Sequence, residues 1–356
     1  MLDKTYTIRA TSNIAFIKYW GRRNHELNLP YNSSISMTLD ENLSATTSVE
    51  FSNSFKEDML IIDGKRQDLN FQRSEKASYL RRALEHARKT AGLNAHALVV
   101  SENNFPSGTG LASSAAGAAA LSLAIVKALD LKIDTREISK IARQVSGSGC
   151  RSLYGGIVKW HRGTHHDGSD SFAEQLFDTS YWPELIDLVA IVTTSSKKVS
   201  SSEGHTLTPR TSRLYDLRPK IAEAEAKKAE TAIRNRDFNL LAEIVMRDSN
   251  NLHAVCLDSW PPIIYLNDVS RAIIYAIHEL NENYGKNVAA YTFDAGANAH
   301  IITTQKHRAA VEGTLSSING IKRVLYSKQG NGPRLLSEGK SLINDEVIRH
   351  TGIYKY

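Results

Sequence analysis

Between Pro106 and Ala128 the chain passes from a glycine-rich turn, PSGTGLASS, straight into AAGAAALSLAIVKA, a segment with no proline and a dense run of alanine and leucine. That composition predicts a helix over Ser113–Leu129. The residues Ala95–Ser101 upstream read as a strand, so the order is strand, glycine turn, helix. Glycine lets the backbone approach a ligand closely. The free N–H groups at a helix start, with the positive end of its dipole, bind anions. Ser113 and Ser114 add hydroxyls that can reach phosphate oxygens or a metal ion. The pattern is not GxxxxGK[ST], which excludes a Walker A loop. Taken alone, it serves equally well as a tight turn capped by serine.

The rest of the chain mixes both element types. Tyr6–Ala10, Ser36–Leu39, Ala45–Phe51 and Met59–Ile62 read as strands, the last leading into a hairpin at Asp63-Gly64. Helices are expected at Arg73–Ala91, Ile138–Val145, Arg218–Arg234, Asn239–His253, Val269–Asn281 and Lys306–Ile318. Further strands are expected at Gly155–His161, Leu185–Val192, Val288–Asp294, Ala299–Thr303 and Arg323–Tyr326. Without strict alternation of strand and helix, this favours an α+β protein over a doubly wound sheet. At roughly 150 residues per domain, 356 residues make one large domain or two lobes. The polar stretch His161–Asp170 is the expected boundary, giving lobes 1–165 and 166–356.

Lys plus Arg exceed Asp plus Glu by 44 to 38. With only short basic pairs, that excess suits an anionic small molecule and predicts no nucleic-acid partner. Cys150 and Cys256 make neither a disulfide framework nor a zinc site. No apolar run is long enough to span a membrane, and the first residues carry no signal-peptide pattern. A cytoplasmic protein is expected. The twelve histidines show no metal-binding spacing. His165-His166 reads as surface and His253 as a structural helix residue.

Four stretches together resemble one family. PSGTGLASSA is similar to the phosphate loop of the GHMP kinase superfamily. Asn13–Gly21 (NIAFIKYWG), Ser146–Gly156 (SGSGCRSLYGG) and Tyr291–Ala299 (YTFDAGANA) resemble signatures of the mevalonate diphosphate decarboxylases. Asp248–Asp268, with its HAVCLDSWPP core, is similar too. The resemblance runs from about residue 6 to about residue 336. It implies a GHMP kinase-like α+β fold, with a ribosomal S5-like N-terminal lobe, a ferredoxin-like C-terminal lobe and the substrate cleft between them. It also implies a homodimer.

The activity implied is ATP- and Mg²⁺-dependent decarboxylation of mevalonate 5-diphosphate to isopentenyl diphosphate, on the mevalonate route to isoprenoids. The same resemblance gives each residue a role. Asp294 orients or deprotonates the C3 hydroxyl, Lys18 stabilises the reacting groups beside it, and Arg151 holds the carboxylate. Tyr19, Arg22, Ser146, Gly147, Ser148, Ser201 and Ala295 bind substrate. Pro106, Gly108, Thr109, Gly110, Leu111, Ala112, Ser113 and Ser114 bind ATP, with Ser113 or Ser114 the candidate metal ligand.

The sequence departs from the family at Ala297, where many members have proline, and at Ser201-Ser202-Glu203, where bacterial members carry an arginine. The missing cation leaves mevalonate 5-phosphate and mevalonate 3,5-bisphosphate as alternative substrates. It predicts a weakened preference for the diphosphate. A GHMP kinase that stops after phosphoryl transfer is the alternative of another type.

Overall fold

The computed structural model describes residues 2–67, 75–104, 113–195 and 197–354. A six-stranded sheet forms the outer layer of the N-terminal part, in the order Arg334–Leu335, Tyr6–Thr11, Ser44–Ser52, His96–Asn103, Met59–Ile62, Lys65–Gln67. The hairpin at Asp63-Gly64 forms as expected, both residues taking positive φ. The helix Ser113–Ala128 lies across the Tyr6–Thr11 and Ser44–Ser52 strands. Its alanines make this close approach possible: Ala115, Ala116, Ala119, Ala120 and Ala124 are fully buried. A Cβ on Gly149 would stand 2.5 Å from the Ala118 Cβ, so the short helical segment Gly147–Leu153 rests directly on this helix.

A second sheet runs Ala173–Phe177, Ile157–Trp160, Ser34–Thr38, Asn13–Ile17. The last two strands are buried at every position. Ile14, Phe16, Ile35 and Met37 share one core with Ala222, Ala226, Leu241 and Val245 of the helices Arg218–Arg234 and Phe238–Leu257. The C-terminal sheet runs Ala289–Phe293, Ala299–Thr304, Leu185–Ile191, Arg323–Lys328, all antiparallel. Numbered along the chain this is order 2-3-1-4, with helices after the first and third strands, the ferredoxin-like arrangement.

Two expectations need correction. The stretch His161–Asp170 joins the paired strands Ile157–Trp160 and Ala173–Phe177, with Trp160 opposite Ala173. A cut at 165/166 would divide a hairpin, and the N-terminal sheet continues to Phe177. The chain also returns to this half: Arg334–Leu335 pairs with Tyr6–Thr11, and Ile343 and Ile353 pack on Phe55 and Met59. Polar hairpin loops and polar linkers have the same composition, so the sequence alone did not separate them. Second, no helix is expected between Leu185–Val192 and Arg218–Arg234, yet the chain becomes helical at Ser201 and stays so to Thr211. Ser200 and Glu203 form a reciprocal capping box that starts it.

Candidate active site

Lys18 follows the Asn13–Ile17 strand and is almost wholly buried. A lysine there needs a partner, and Nζ reaches Asp294 Oδ1 at 2.6 Å. Asp294 ends the Ala289–Phe293 strand in the other half of the molecule and keeps 29% of its side chain exposed. Burial alone would raise its carboxyl pKa. The charges of Lys18, His300 and Arg151 and the Lys18 hydrogen bond outweigh that, and Asp294 titrates below the ordinary carboxylate range. It is therefore ionised at neutral pH and open to the cleft.

The backbone of Lys18 is gripped on both sides. Its N–H donates to Asp248 Oδ2 at 2.7 Å, and its carbonyl accepts from Arg218 Nη2 at 2.9 Å and Asn32 Nδ2 at 3.0 Å. Asp248 and Arg218 form a bidentate pair of 2.5 and 3.1 Å with no side-chain exposure. Both come from the helices that pack under the strand. The sequence reading passed over them because an arginine at a helix start and an aspartate within a helix are ordinary. The signal lay in the quoted stretch beginning at Asp248.

Arg151 is also buried. Nε donates to Ser36 Oγ at 2.9 Å, Nη1 to Ser34 Oγ at 2.6 Å, and Nη2 to Asn13 Oδ1 at 3.1 Å. A guanidinium has five N–H donors, and these contacts engage three. Among the described residues these contacts leave one N–H on each terminal nitrogen, and two guanidinium donors are what a carboxylate accepts. Burial lowers the Arg151 pKa, opposed by Cys150 and Asp294. Asn13, Ser34 and Ser36 were not singled out from sequence, although Asn13 opens the first motif.

The remaining candidates gather around these three. Ser146 Oγ lies 3.5 Å from Ser114 Oγ, which brings the start of the small-residue helix to the Arg151 turn. Ser148 contributes its carbonyl to Asn13 Nδ2. Gly147 is needed for packing, since a Cβ there would meet Tyr19 and Trp160 within 3 Å. Tyr19 stacks on His205 and accepts from Arg22 Nε at 3.0 Å. Arg22 Nη2 donates to Ser202 Oγ at 3.0 Å, next to Ser201 at the helix start. The Ala295 carbonyl accepts from Lys197 Nζ at 2.8 Å.

His205, missed from sequence, accepts from the Gly21 N–H through Nδ1 at 2.9 Å. Burial and the nearby charge of Arg22 hold its pKa well below the ordinary value, so it is neutral. Pro106, Gly108, Thr109, Gly110, Leu111 and Ala112 lie outside the described residues, as does the side chain of Ser113. Among the described residues, no three His, Cys, Asp or Glu side chains cluster as a metal site.

Glu203 is engaged in the capping box at the surface and does not oppose an anion in the cleft. The guanidinium of Arg22 stands at the Ser202 hydroxyl, so a cation does face the first turn of this helix.

Comparison with known proteins agrees with the geometry. Residues 10–173 match the diphosphomevalonate decarboxylase-like N-terminal domain, and residues 187–320 match the mevalonate 5-diphosphate decarboxylase C-terminal domain. The chain is 48% identical to diphosphomevalonate decarboxylase mvd1 of Aspergillus fumigatus over 324 residues, 88% of this chain and 80% of that protein. The mevalonate diphosphate decarboxylase of Trypanosoma brucei superposes with a TM-score of 0.87 at 32% identity, covering 96% of this chain and 100% of that one. A relative solved in complex with MVAPP, AMPPCP and magnesium gives 0.83 at 32% identity, covering 94% and 99%. Matched in both halves and over nearly its whole length, the chain belongs to the diphosphomevalonate decarboxylase family, a group of carboxy-lyases.

Proposed function

We propose that this chain converts mevalonate 5-diphosphate to isopentenyl diphosphate, using ATP and releasing ADP, phosphate and carbon dioxide. The observation that carries this reading is the placement of Arg151. It is a buried guanidinium with two donors left, in electrostatic reach of the Lys18–Asp294 pair. A kinase needs the pair alone. A decarboxylase also needs to grip the carboxylate.

Asp294, ionised and exposed to the cleft, accepts a hydrogen bond from the C3 hydroxyl and takes its proton as phosphoryl transfer proceeds. Lys18 balances the charge of Asp294 and the negative charge that grows on the C3 oxygen. Arg151 then holds the carboxylate while the C3 phosphate leaves with its bonding electrons. The electrons of the C–C bond to the carboxylate form the alkene, and carbon dioxide departs. Tyr19, Arg22, Ser201 and Ser202 take the 5-diphosphate end.

The glycine turn and Ser114 serve the ATP phosphates. Magnesium takes few protein ligands and keeps waters and phosphate oxygens. That fits a cleft whose described residues include no acidic cage, with Ser113 or Ser114 as its protein contact. The relative bound to MVAPP, AMPPCP and magnesium supports the same set of ligands.

The test is to supply mevalonate 5-diphosphate, 5-phosphate and 3,5-bisphosphate separately, with and without ATP, and to measure carbon dioxide. Release from the diphosphate only with ATP is expected. Release from the bisphosphate without ATP, and none from the diphosphate, would overturn the reading. ADP formation without carbon dioxide would identify a kinase.

We also propose a cytoplasmic homodimer. No helix among the described residues is long and apolar enough to cross a membrane. Trp260 and Ile264 stand 75% and 70% exposed near the exposed Leu257, and the Leu214 N–H donates to Asp258, which brings a further exposed leucine to this surface, a patch suited to a second copy. Sedimentation of the wild type and of Trp260→Asp tests it.

A further inference from the structure

We propose that a cavity on the far side of the Arg151 turn binds a second small molecule, an organic anion. The cavity has a volume of about 660 Å³, within the range of small-molecule sites. It is distinct from the catalytic cleft. Leu123 and Thr135 line it, and each lies about ten residues, roughly 15 Å of helix, from the end of its helix that meets the cleft at Ser114 and Ser146.

The site is built rather than incidental. One wall is the segment Gln329–Arg334. A Cβ on Gly330 would stand 1.9 Å from the Leu39 carbonyl oxygen, and one on Gly155 would stand 2.8 Å from the Gly330 oxygen. Backbone therefore packs on backbone, and the wall is held in place. Gln329 is tied in as well, donating through Nε2 to the Trp182 carbonyl.

The charge points to an anion. Arg9 and Arg334 sit directly opposite each other on paired strands, where like charges repel. Both lean on one carboxylate, Glu41, at 3.4 and 2.8 Å. Asp40 is engaged by the Asn42 and Lys328 backbone N–H groups and by Ser327. With Lys328 the lining carries three cations against two carboxylates, a surplus of one positive charge. Leu153 and Ile138 supply an apolar face for the carbon skeleton. The anionic group is a phosphate ester or a carboxylate, and the two are separated by experiment.

Calorimetric titration with ribose 5-phosphate, and separately with gluconate, is done on the whole chain with its cleft saturated by mevalonate 5-diphosphate and a non-hydrolysable ATP analogue. One further saturable site is expected for at least one probe, and the probe that binds identifies the anionic group. Arg334→Glu and Lys328→Glu should each weaken it tenfold or more. Carbon dioxide release without probe should be unchanged in both variants. No saturation by either probe at millimolar concentration overturns the proposal, as does binding unchanged in both variants. Saturation of the cleft is checked by the disappearance of further heat on adding analogue, and turnover with ATP is measured on a separate portion, so loss of the decarboxylase reading is separable from loss of this one.

Discussion

The most informative perturbation lies one layer below the chemistry, at Asp248. Its carboxylate makes both bonds to Arg218 and accepts the Lys18 backbone N–H. Asp248→Asn keeps the shape but removes the charge and turns one oxygen into an N–H₂ donor. That donor must face either Arg218 or the Lys18 N–H, both donors themselves. Breaking a fully buried ion pair from one side costs about 3–5 kcal/mol. At roughly 2–4 °C per kcal/mol for a domain of this order of size, the melting temperature should fall by roughly 6–20 °C. Turnover should fall as well, because Lys18 carries the partner of Asp294, and a shift of about 1 Å at a reacting group costs on the order of 10²-fold. The assay is thermal melting beside carbon dioxide release on folded protein. Arg218→Met with Asp248→Leu is the control. Apolar replacement of the whole pair should restore part of the stability, yet leave the Lys18 backbone ungripped and the enzyme slow. A stable Asp248→Asn protein would refute the buried-pair reasoning. A destabilised variant with normal turnover at low temperature would refute the positioning of Lys18.

Asp294→Asn should lower carbon dioxide release by about two orders of magnitude or more, measured by trapped gas, while calorimetry shows ATP still bound. Arg151→Lys should fail to replace the guanidinium, since an ammonium cannot hold Asn13, Ser34, Ser36 and a carboxylate together; a fully active lysine variant would remove Arg151 from the carboxylate. Arg22→Gln should weaken binding of the 5-diphosphate about tenfold or more, the loss of a charge-assisted bond, read as a rise in KM larger than any fall in kcat. Stability should decline with acid above the range in which most carboxylates titrate. His253 is held at about 4, first by burial and then by the charge of Lys18, against about 6.5 unfolded. The unfolded chain takes up its proton first, so this contribution, up to about 3 kcal/mol, is present above pH 6.5 and lost as pH falls toward 4. His253→Asn should flatten that part of the melting-temperature profile.

Periodicity and punctuation made most of the fold legible. The helix Arg218–Arg234 was bounded correctly at both ends, and the glycine after Ala91 marks the end of its helix with φ +66°. What stayed hidden has physical reasons. Ser201–Thr211 contains Gly204 and Pro209, both helix breakers by composition, and only the Ser200–Glu203 capping box reveals it. The Ala173–Phe177 strand is half exposed and carries Glu174 and Gln175 between its apolar residues, so its pairing rather than its pattern defines it. At the site, Lys18, Arg151 and Asp294 were readable because their motifs are contiguous. Asp248, Arg218, Ser34 and Ser36 were not, because their role exists only across sequence separations of 30 to 230 residues or through contacts between strands.

The same separations explain why the cleft holds its geometry. Lys18 and Arg151 come from the N-terminal half, and Asp294 comes from the C-terminal half. In a molecule of two hinged lobes, the Lys18–Asp294 contact would open and close with the hinge. Here the strand that ends at Lys18 is buried under helices of the other half, within one continuous core. Arg218 and Asp248 on those helices hold the Lys18 backbone, and the Asp248 helix also supplies Ser249, whose hydroxyl accepts the Phe293 N–H next to Asp294 at 3.0 Å. One helix therefore fixes both members of the reacting pair. Sliding the halves past each other would break the Lys18 backbone bonds to Asp248 and Arg218 and divide the shared core at the same time, which argues against a hinge between them.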